Sequence, residues 1–470
     1  MRALFVYPDM CTDSGRFQQG IASILAVLKE AGQQTSLLHL ERELPKAELM
    51  RRIDEVKPGL VAFSTTTHQY PFVQRYSRWV KESFHLPVVC GGIHPTLSPE
   101  ETIADEGMDA ICVGEGEYPM LELVERLQAG DDISDIPNLW VKMDGAIRRN
   151  PVRPLIQDLD RLPFPDREVF SYERILKKFG HTADIMTGRG CPFGCTYCCN
   201  HALKQLYTGK GRFIRRCSVL RILDEIEQVI TRYQVTSLNF DDDTFTLQPK
   251  WLEEFCREYP KRFRLPFSCN ARVETVNKNS LAALKRAGCF QIQIGIESGS
   301  EWLREKVLRR RMSNKKLMEV FSAAKEVGLQ TYSFNMVGLP EETPEMAEET
   351  FRINADIDPD IVQASVFYPY PGTDLYRMCE ERGYLTGDQK YGYFGEGTVL
   401  RLPTLSEQQI RHYYRRYHEI SFEKNLRRQY PHAYVGYKLA KKVVGRRLTY
   451  SLARQAQKVV ARIMNLARGR

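Results

Sequence analysis

The chain has 470 residues, enough for two or three domains at about 100–200 residues each. Hydrophobic residues make up 43 % and charged residues 27 %, which excludes disorder along the whole chain. No apolar run approaches the roughly 20 residues of a membrane-spanning helix. The net charge of +8 is local: ten of the 67 Lys and Arg fall in 436–470, which holds no acid, leaving 57 basic against 59 acidic residues elsewhere. The body gives no sign of nucleic-acid binding. Met1–Tyr7 runs straight into a strand pattern and then Pro8-Asp9, which does not read as a signal peptide. A cytoplasmic protein with reduced thiols is expected.

Residues 1–130 alternate short apolar runs with helical periodicity. Strands are expected at 3–7, 35–39, 60–64, 87–90 and 110–113, and helices at 20–31, 46–56, 72–83 and 119–128, with Gly32 closing the first helix. This alternation predicts a doubly wound parallel sheet, whose ligands bind beyond the carboxyl ends of the strands. Those ends carry Ser64-Thr65-Thr66-Thr67-His68, Gly91-Gly92-Ile93-His94 and Gly114-Glu115-Gly116-Glu117. Such small residues let a backbone approach a bulky ligand, and equally serve tight turns. Residues 131–180 are dense in proline and read as a linker. Six strands are expected at 184–187, 237–240, 267–270, 291–296, 331–337 and 361–367, with helices between them. They predict a partial (β/α)6 barrel over 181–375 with its site at the strand carboxyl ends. Residues 376–470 read as helical.

Twelve cysteines occur, and four crowd together: Cys191, Cys195, Cys198 and Cys199. Cys191, Cys195 and Cys198 have the spacing C-x3-C-x2-C, in a loop with Gly190 and Gly194. Three thiolates on one loop can hold three irons of a four-iron, four-sulfur cluster and leave the fourth open. Structural zinc wants four protein ligands. Cys199 also lies at C-x3-C from Cys195, so either neighbour can be the third ligand; the aromatic Tyr197 directly before Cys198 favours Cys198.

On these residues the sequence resembles the radical S-adenosylmethionine enzymes with an N-terminal cobalamin-binding-type domain. The resemblance implies that the open iron chelates S-adenosylmethionine, whose reductive cleavage gives a 5′-deoxyadenosyl radical, with an electron from a donor such as flavodoxin or ferredoxin. It further implies roles at matching positions. Tyr197 resembles the aromatic that reads the adenine through its backbone. Asp242 and Asp243, in Asn239-Phe240-Asp241-Asp242-Asp243-Thr244-Phe245, stand where the family meets the methionine amino group; an acidic helix start is the alternative. Arg272 resembles the carboxylate partner, and Gly295 with Glu297 the ribose-binding strand end.

The same resemblance places cobalamin at Ser64, Thr66, Gly91, Gly92, Gly114, Glu115 and Gly116. The D-x-H-x-x-G motif that supplies an axial histidine in other cobalamin proteins is absent. With cobalamin, methylation of an unactivated carbon is the implied reaction. Without it, radical cyclisation, oxidation, rearrangement or dehydration of a small molecule or a lipid or pigment precursor remains. An iron–sulfur electron-transfer module is the alternative of another class. The basic stretch 435–470 has apolar residues interleaved, as in a helix lying on an anionic membrane or a solvated final helix.

Overall fold

The computed structural model describes residues 1–10, 15–387 and 395–444. The basic stretch beyond 444 lies outside the described residues. The first sheet holds β1 (Arg2–Pro8), β2 (Gln34–Leu40), β3 (Leu60–Ser64), β4 (Val88–Gly91), β5 (Ala110–Cys112), β6 (Leu139–Met143) and β7 (Ala146–Arg149), in the order β2-β1-β3-β4-β5-β6-β7. The first five strands are parallel and the last two antiparallel. Alternate residues of β1 serve opposite faces: Ala3, Phe5 and Tyr7 pack under helices Gln19–Glu30 and Glu117–Ala129, and Leu4 and Val6 under Lys46–Val56 and Tyr70–Ser83. The strand order reverses between β1 and β3, so the crevice for a ligand lies beyond their carboxyl ends.

Residues 131–180 differ from a bare linker. Their β6–β7 hairpin extends the first sheet. It turns on Asp144 and Gly145, both with positive φ (52° and 75°), an Asp-Gly pair that suits a two-residue hairpin. Farther on, Phe170 and Tyr172 pack edge-on against Phe17. Arg167 donates to Glu225 at 2.7 Å, both buried. This segment therefore carries core between the two sheets.

The second sheet begins with β8 (Thr182–Ile185). A small ladder of β9 (Gly188–Arg189) and β10 (Arg215–Arg216) follows. The sheet continues through β11 (Ser237–Phe240), β12 (Phe267–Ala271), β13 (Cys289–Glu297), β14 (Gln330–Val337) and β15 (Ile361–Val366). Its order is β15-β14-β13-β12-β11-β8, all parallel, the expected half-barrel. Helix Glu407–Gln429 packs on β14 and β15, with Tyr417 stacked on Phe351 at 4.2 Å. No described helix is long and apolar enough to cross a membrane.

Candidate active site

A cavity of about 390 Å³ opens at the carboxyl ends of the second sheet. Cys191, Cys195 and Cys198 line it; Cys199 does not. The loop is fixed from below by Thr196, whose backbone N–H donates to Leu308 O at 3.3 Å and whose hydroxyl donates to Val307 O at 2.7 Å. Cys198 ends the loop as the residue before helix Cys199–Leu206, so its neighbour Cys199 is already helical. The two adjacent thiols lie within hydrogen-bonding reach of each other, and Cys198 is the one that lines the cavity. Among the described residues no three His, Cys, Asp or Glu side chains converge as a single metal ion requires. A cluster instead takes one thiolate per iron, and three cavity-lining thiols on one loop fit it.

Arg272 reaches this loop from the end of β12. Its Nη1 donates to Cys195 Sγ at 3.3 Å, its plane lies 3.7 Å over the Phe193 ring, and its Nη2 pairs with Glu274 at 2.6 Å.

The acidic run after β11 divides between the cavity and the interior. Asp241 and Asp243 face the cavity. Asp242 turns inward: its carboxylate accepts from Thr187 N at 3.0 Å and Thr187 Oγ1 at 2.6 Å, with Arg216 at 3.8 Å. Asp242 therefore does not stand at the cavity as the sequence suggested; it ties β11 to the strand entering the cysteine loop, and Asp241 takes its place. Desolvation and the neighbouring Asp184 charge push the Asp241 carboxyl up to about 7.

Gly295 and Glu297 lie together at the end of β13. The register slips between them, and Glu297 takes φ 66°, rare for a residue with a side chain. A Cβ at Gly295 would collide with the Glu297 carboxylate, so glycine is required there. Tyr197 Oη donates to Glu297 Oε1 at 3.0 Å. Arg310, which no local sequence signal marked, donates to Tyr197 Oη at 3.0 Å and to Gly295 O at 2.6 Å. Phe334, Met336, Phe367, Tyr368 and Tyr370 form the apolar side of the cavity.

The N-terminal domain meets this cavity from above. His68, beyond β3, lies edge-on to Tyr368 at 4.3 Å and its Nε2 is 3.1 Å from Tyr370 Oη. Ser64 ends β3, Thr66 is exposed beyond it, Gly91 ends β4, and Gly92 turns with φ 103°. His94 behind them is buried on Tyr70, its Nε2 without a hydrogen-bond partner, and burial lowers it to about 4. These two loops stand at the switch point and carry small residues there, which fits the close approach of a bulky cofactor.

The loop after β5 does not. A Cβ on Gly114 would strike the Tyr207 hydroxyl, which also accepts from Glu115 N at 2.8 Å. Glu115 is bound by Arg189 at 2.9 Å and Arg215 at 2.7 Å, and Glu117 by Arg189 at 2.6 Å. Gly114 and Glu115 thus form a joint with the second domain rather than an open cradle, while Gly116 packs on Ile24 within the first domain. The ion pairs hold Arg189 two residues before Cys191.

Residues 185–353 match the Radical SAM superfamily, and residues 17–124 match the B12 binding domain. An uncharacterized methyltransferase of Pyrococcus horikoshii is 29 % identical over 83 % of this chain and 84 % of that protein. The anaerobic magnesium-protoporphyrin IX monomethyl ester cyclase of Rubrivivax gelatinosus is 26 % identical over 84 % of this chain and 72 % of that protein. The fold resembles that of the radical S-adenosylmethionine methyltransferase TsrM from Kitasatospora setae, solved with cobalamin and an iron–sulfur cluster. Here the TM-score is 0.68 at 18 % identity, covering 88 % of this chain and 81 % of that one. The chain belongs to the radical S-adenosylmethionine enzymes, with a B12-binding domain on the N-terminal side of the radical domain.

Proposed function

We propose that this enzyme methylates an unactivated carbon of a small molecule, using S-adenosylmethionine and cobalamin. The single observation that carries the reading is the cavity lined by the three cysteines and the carboxylates of Asp241, Asp243 and Glu297, whose wall at Tyr368 and Tyr370 is touched by His68 of the N-terminal domain. The cluster, when bound, supplies one electron to the sulfonium of S-adenosylmethionine, giving methionine and a 5′-deoxyadenosyl radical; methylcobalamin supplies the methyl group.

The protein's own residues hold and shield. Cys191, Cys195 and Cys198 hold the cluster, and Arg272 donates a hydrogen bond to the Cys195 sulfur beside it. Asp241 and Asp243 suit the methionine amino group, being anions at the cavity wall. Glu297 suits the ribose hydroxyls, and the Tyr197 backbone the adenine. Ser64, Thr66, Gly91 and Gly92 suit the corrin, at the switch point. The apolar wall excludes water from a radical that would otherwise be quenched.

A second reading is radical ring closure, favoured by the 26 % identity to the monomethyl ester cyclase. The finer assignments are a low-potential donor such as flavodoxin or ferredoxin, oxygen sensitivity, a cytoplasmic location, and contact of the basic stretch 435–470 with an anionic membrane face. The test is anaerobic reconstitution with iron, sulfide and hydroxocobalamin, followed by desalting, metal analysis and absorption spectroscopy. About four irons and one retained cobalt per chain are expected. Four irons without cobalt would overturn the methyl-transfer reading and bring forward chemistry without cobalamin.

A further inference from the structure

The segment after β13 is costly to build. Residues Leu303–Val307 form a π-type turn, rare in proteins and common near functional sites. Arg304 is fully buried within it, donating to Met312 O at 3.1 Å, Asn314 Oδ1 at 2.6 Å and Ser298 O. Arg309 follows with φ 52°. The product of this strained path is one guanidinium, Arg310, returned beneath the end of β13 and 5 % exposed.

From there Arg310 touches three things. Its Nη2 holds the Gly295 carbonyl, and its Nη1 meets the Tyr197 hydroxyl at 3.0 Å and Glu297 Oε1 at 3.4 Å. Tyr197 and Arg310 both meet the Glu297 carboxylate at Oε1. Among the described residues Oε2 has no hydrogen-bond partner, and Glu297 lines the cavity. The same segment carries Thr196, the residue between Cys195 and Tyr197, on its Val307 and Leu308 carbonyls.

We propose that Arg310 is a positioning residue for S-adenosylmethionine: with Tyr197 it fixes Glu297 by Oε1 so that Oε2 faces the ribose hydroxyls, and it registers that carboxylate to the cysteine loop. This deepens the reading above and rests on it. An arginine suits the place because its planar fork spans a carbonyl, a phenol and a carboxylate at once, which an ammonium cannot do. The unusual φ of Glu297 is the backbone cost of presenting the carboxylate inward, and it persists because Arg310 and Tyr197 over-determine it.

The test compares wild-type, Arg310→Lys, Arg310→Met and Tyr197→Phe proteins, each reconstituted anaerobically. Iron content, S-adenosylmethionine affinity by equilibrium dialysis, and the electron paramagnetic resonance spectrum of the reduced cluster with and without S-adenosylmethionine are read. The expected result is unchanged iron, with affinity about tenfold weaker in Arg310→Met and only partly restored by Arg310→Lys. Tyr197→Phe is expected to weaken it severalfold. Wild-type affinity in Arg310→Met with full iron would overturn the proposal. So would loss of iron in Arg310→Met together with wild-type affinity in Arg310→Lys, because the residue would then only support the loop. A wild-type protein with four irons that binds no S-adenosylmethionine would instead overturn the functional reading on which the proposal rests.

Discussion

His68 of the N-terminal domain and Tyr370 of the half-barrel lie 3.1 Å apart, Nε2 to Oη, and 302 residues separate them in sequence. Tyr370 lines the cysteine cavity, so this contact joins the switch-point loop of one domain to the active-site wall of the other. Burial lowers the His68 pKa, which keeps the ring neutral and able to share one hydrogen bond with the phenol.

A double-mutant cycle of His68→Ala and Tyr370→Phe, read by urea unfolding at pH 7.5, is expected to give a coupling of about 1 kcal/mol. Strictly additive effects would mean that the two side chains do not meet in solution.

The ion cluster behind the β5 loop predicts a larger effect. Glu117 is 3 % exposed and bound to Arg189 and to the Ser23 hydroxyl. Glu117→Gln leaves Arg189 short of one anion and is expected to cost about 3 kcal/mol in urea unfolding. Burial opposes the Glu117 charge, but the Arg189 guanidinium and its hydrogen bonds prevail and hold the carboxyl below its ordinary value. A depressed acid contributes stability above its unfolded pKa of about 4.3 and loses it as pH falls through the lower folded value. The difference between wild type and Glu117→Gln is therefore expected to be constant from pH 8 to 5 and to shrink below pH 4. A difference that grows in acid would reverse the sign assigned to Arg189.

The fold was largely legible because apolar periodicity marks strands whose neighbours are local in sequence. All five expected strands of the first domain and all six of the half-barrel are present within a few residues of their expected bounds. The β6–β7 hairpin was hidden by flanking prolines and by its arginines, yet Asp144-Gly145 was a usable turn signal. In the site, the cysteine spacing was decisive because the three thiols share one loop. The assignment of Asp242 could not see Thr187, 55 residues away, whose N–H and hydroxyl draw that carboxylate inward while Asp241 and Asp243 line the cavity. Glu115 and Gly114 looked like a ligand cradle because their partners, Arg189, Arg215 and Tyr207, lie 74 to 100 residues away. Arg310 had no local signal at all: its contact with Tyr197 spans 113 residues.

Asp241 predicts a pH dependence. Desolvation comes first among the causes that raise it to about 7, then Asp184 on β8; Asn239 and Arg16 oppose, and Asp242 adds repulsion. Its carboxylate form, needed to attract an amino group, thus fills in as pH rises through about 7. Affinity for S-adenosylmethionine is expected to tighten between pH 6 and 8 in wild type, and Asp241→Asn is expected to bind more weakly with a flat profile. Equilibrium dialysis at constant ionic strength checks both; an Asp241→Asn profile as steep as wild type would assign the titration elsewhere.

The adjacent cysteines give the sharpest contrast. Cys198 lines the cavity and Cys199, already inside the helix, does not. Each of the other two thiols on the loop also lines the cavity, so position favours Cys198 where spacing, which both neighbours satisfy, does not decide. Cys198→Ala is expected to leave the reconstituted protein without a stable four-iron cluster, seen as loss of the charge-transfer absorption and of acid-labile sulfide. Cys199→Ala is expected to retain about four irons per chain. The reverse pattern would move the third iron to Cys199, whose thiol lies against that of Cys198.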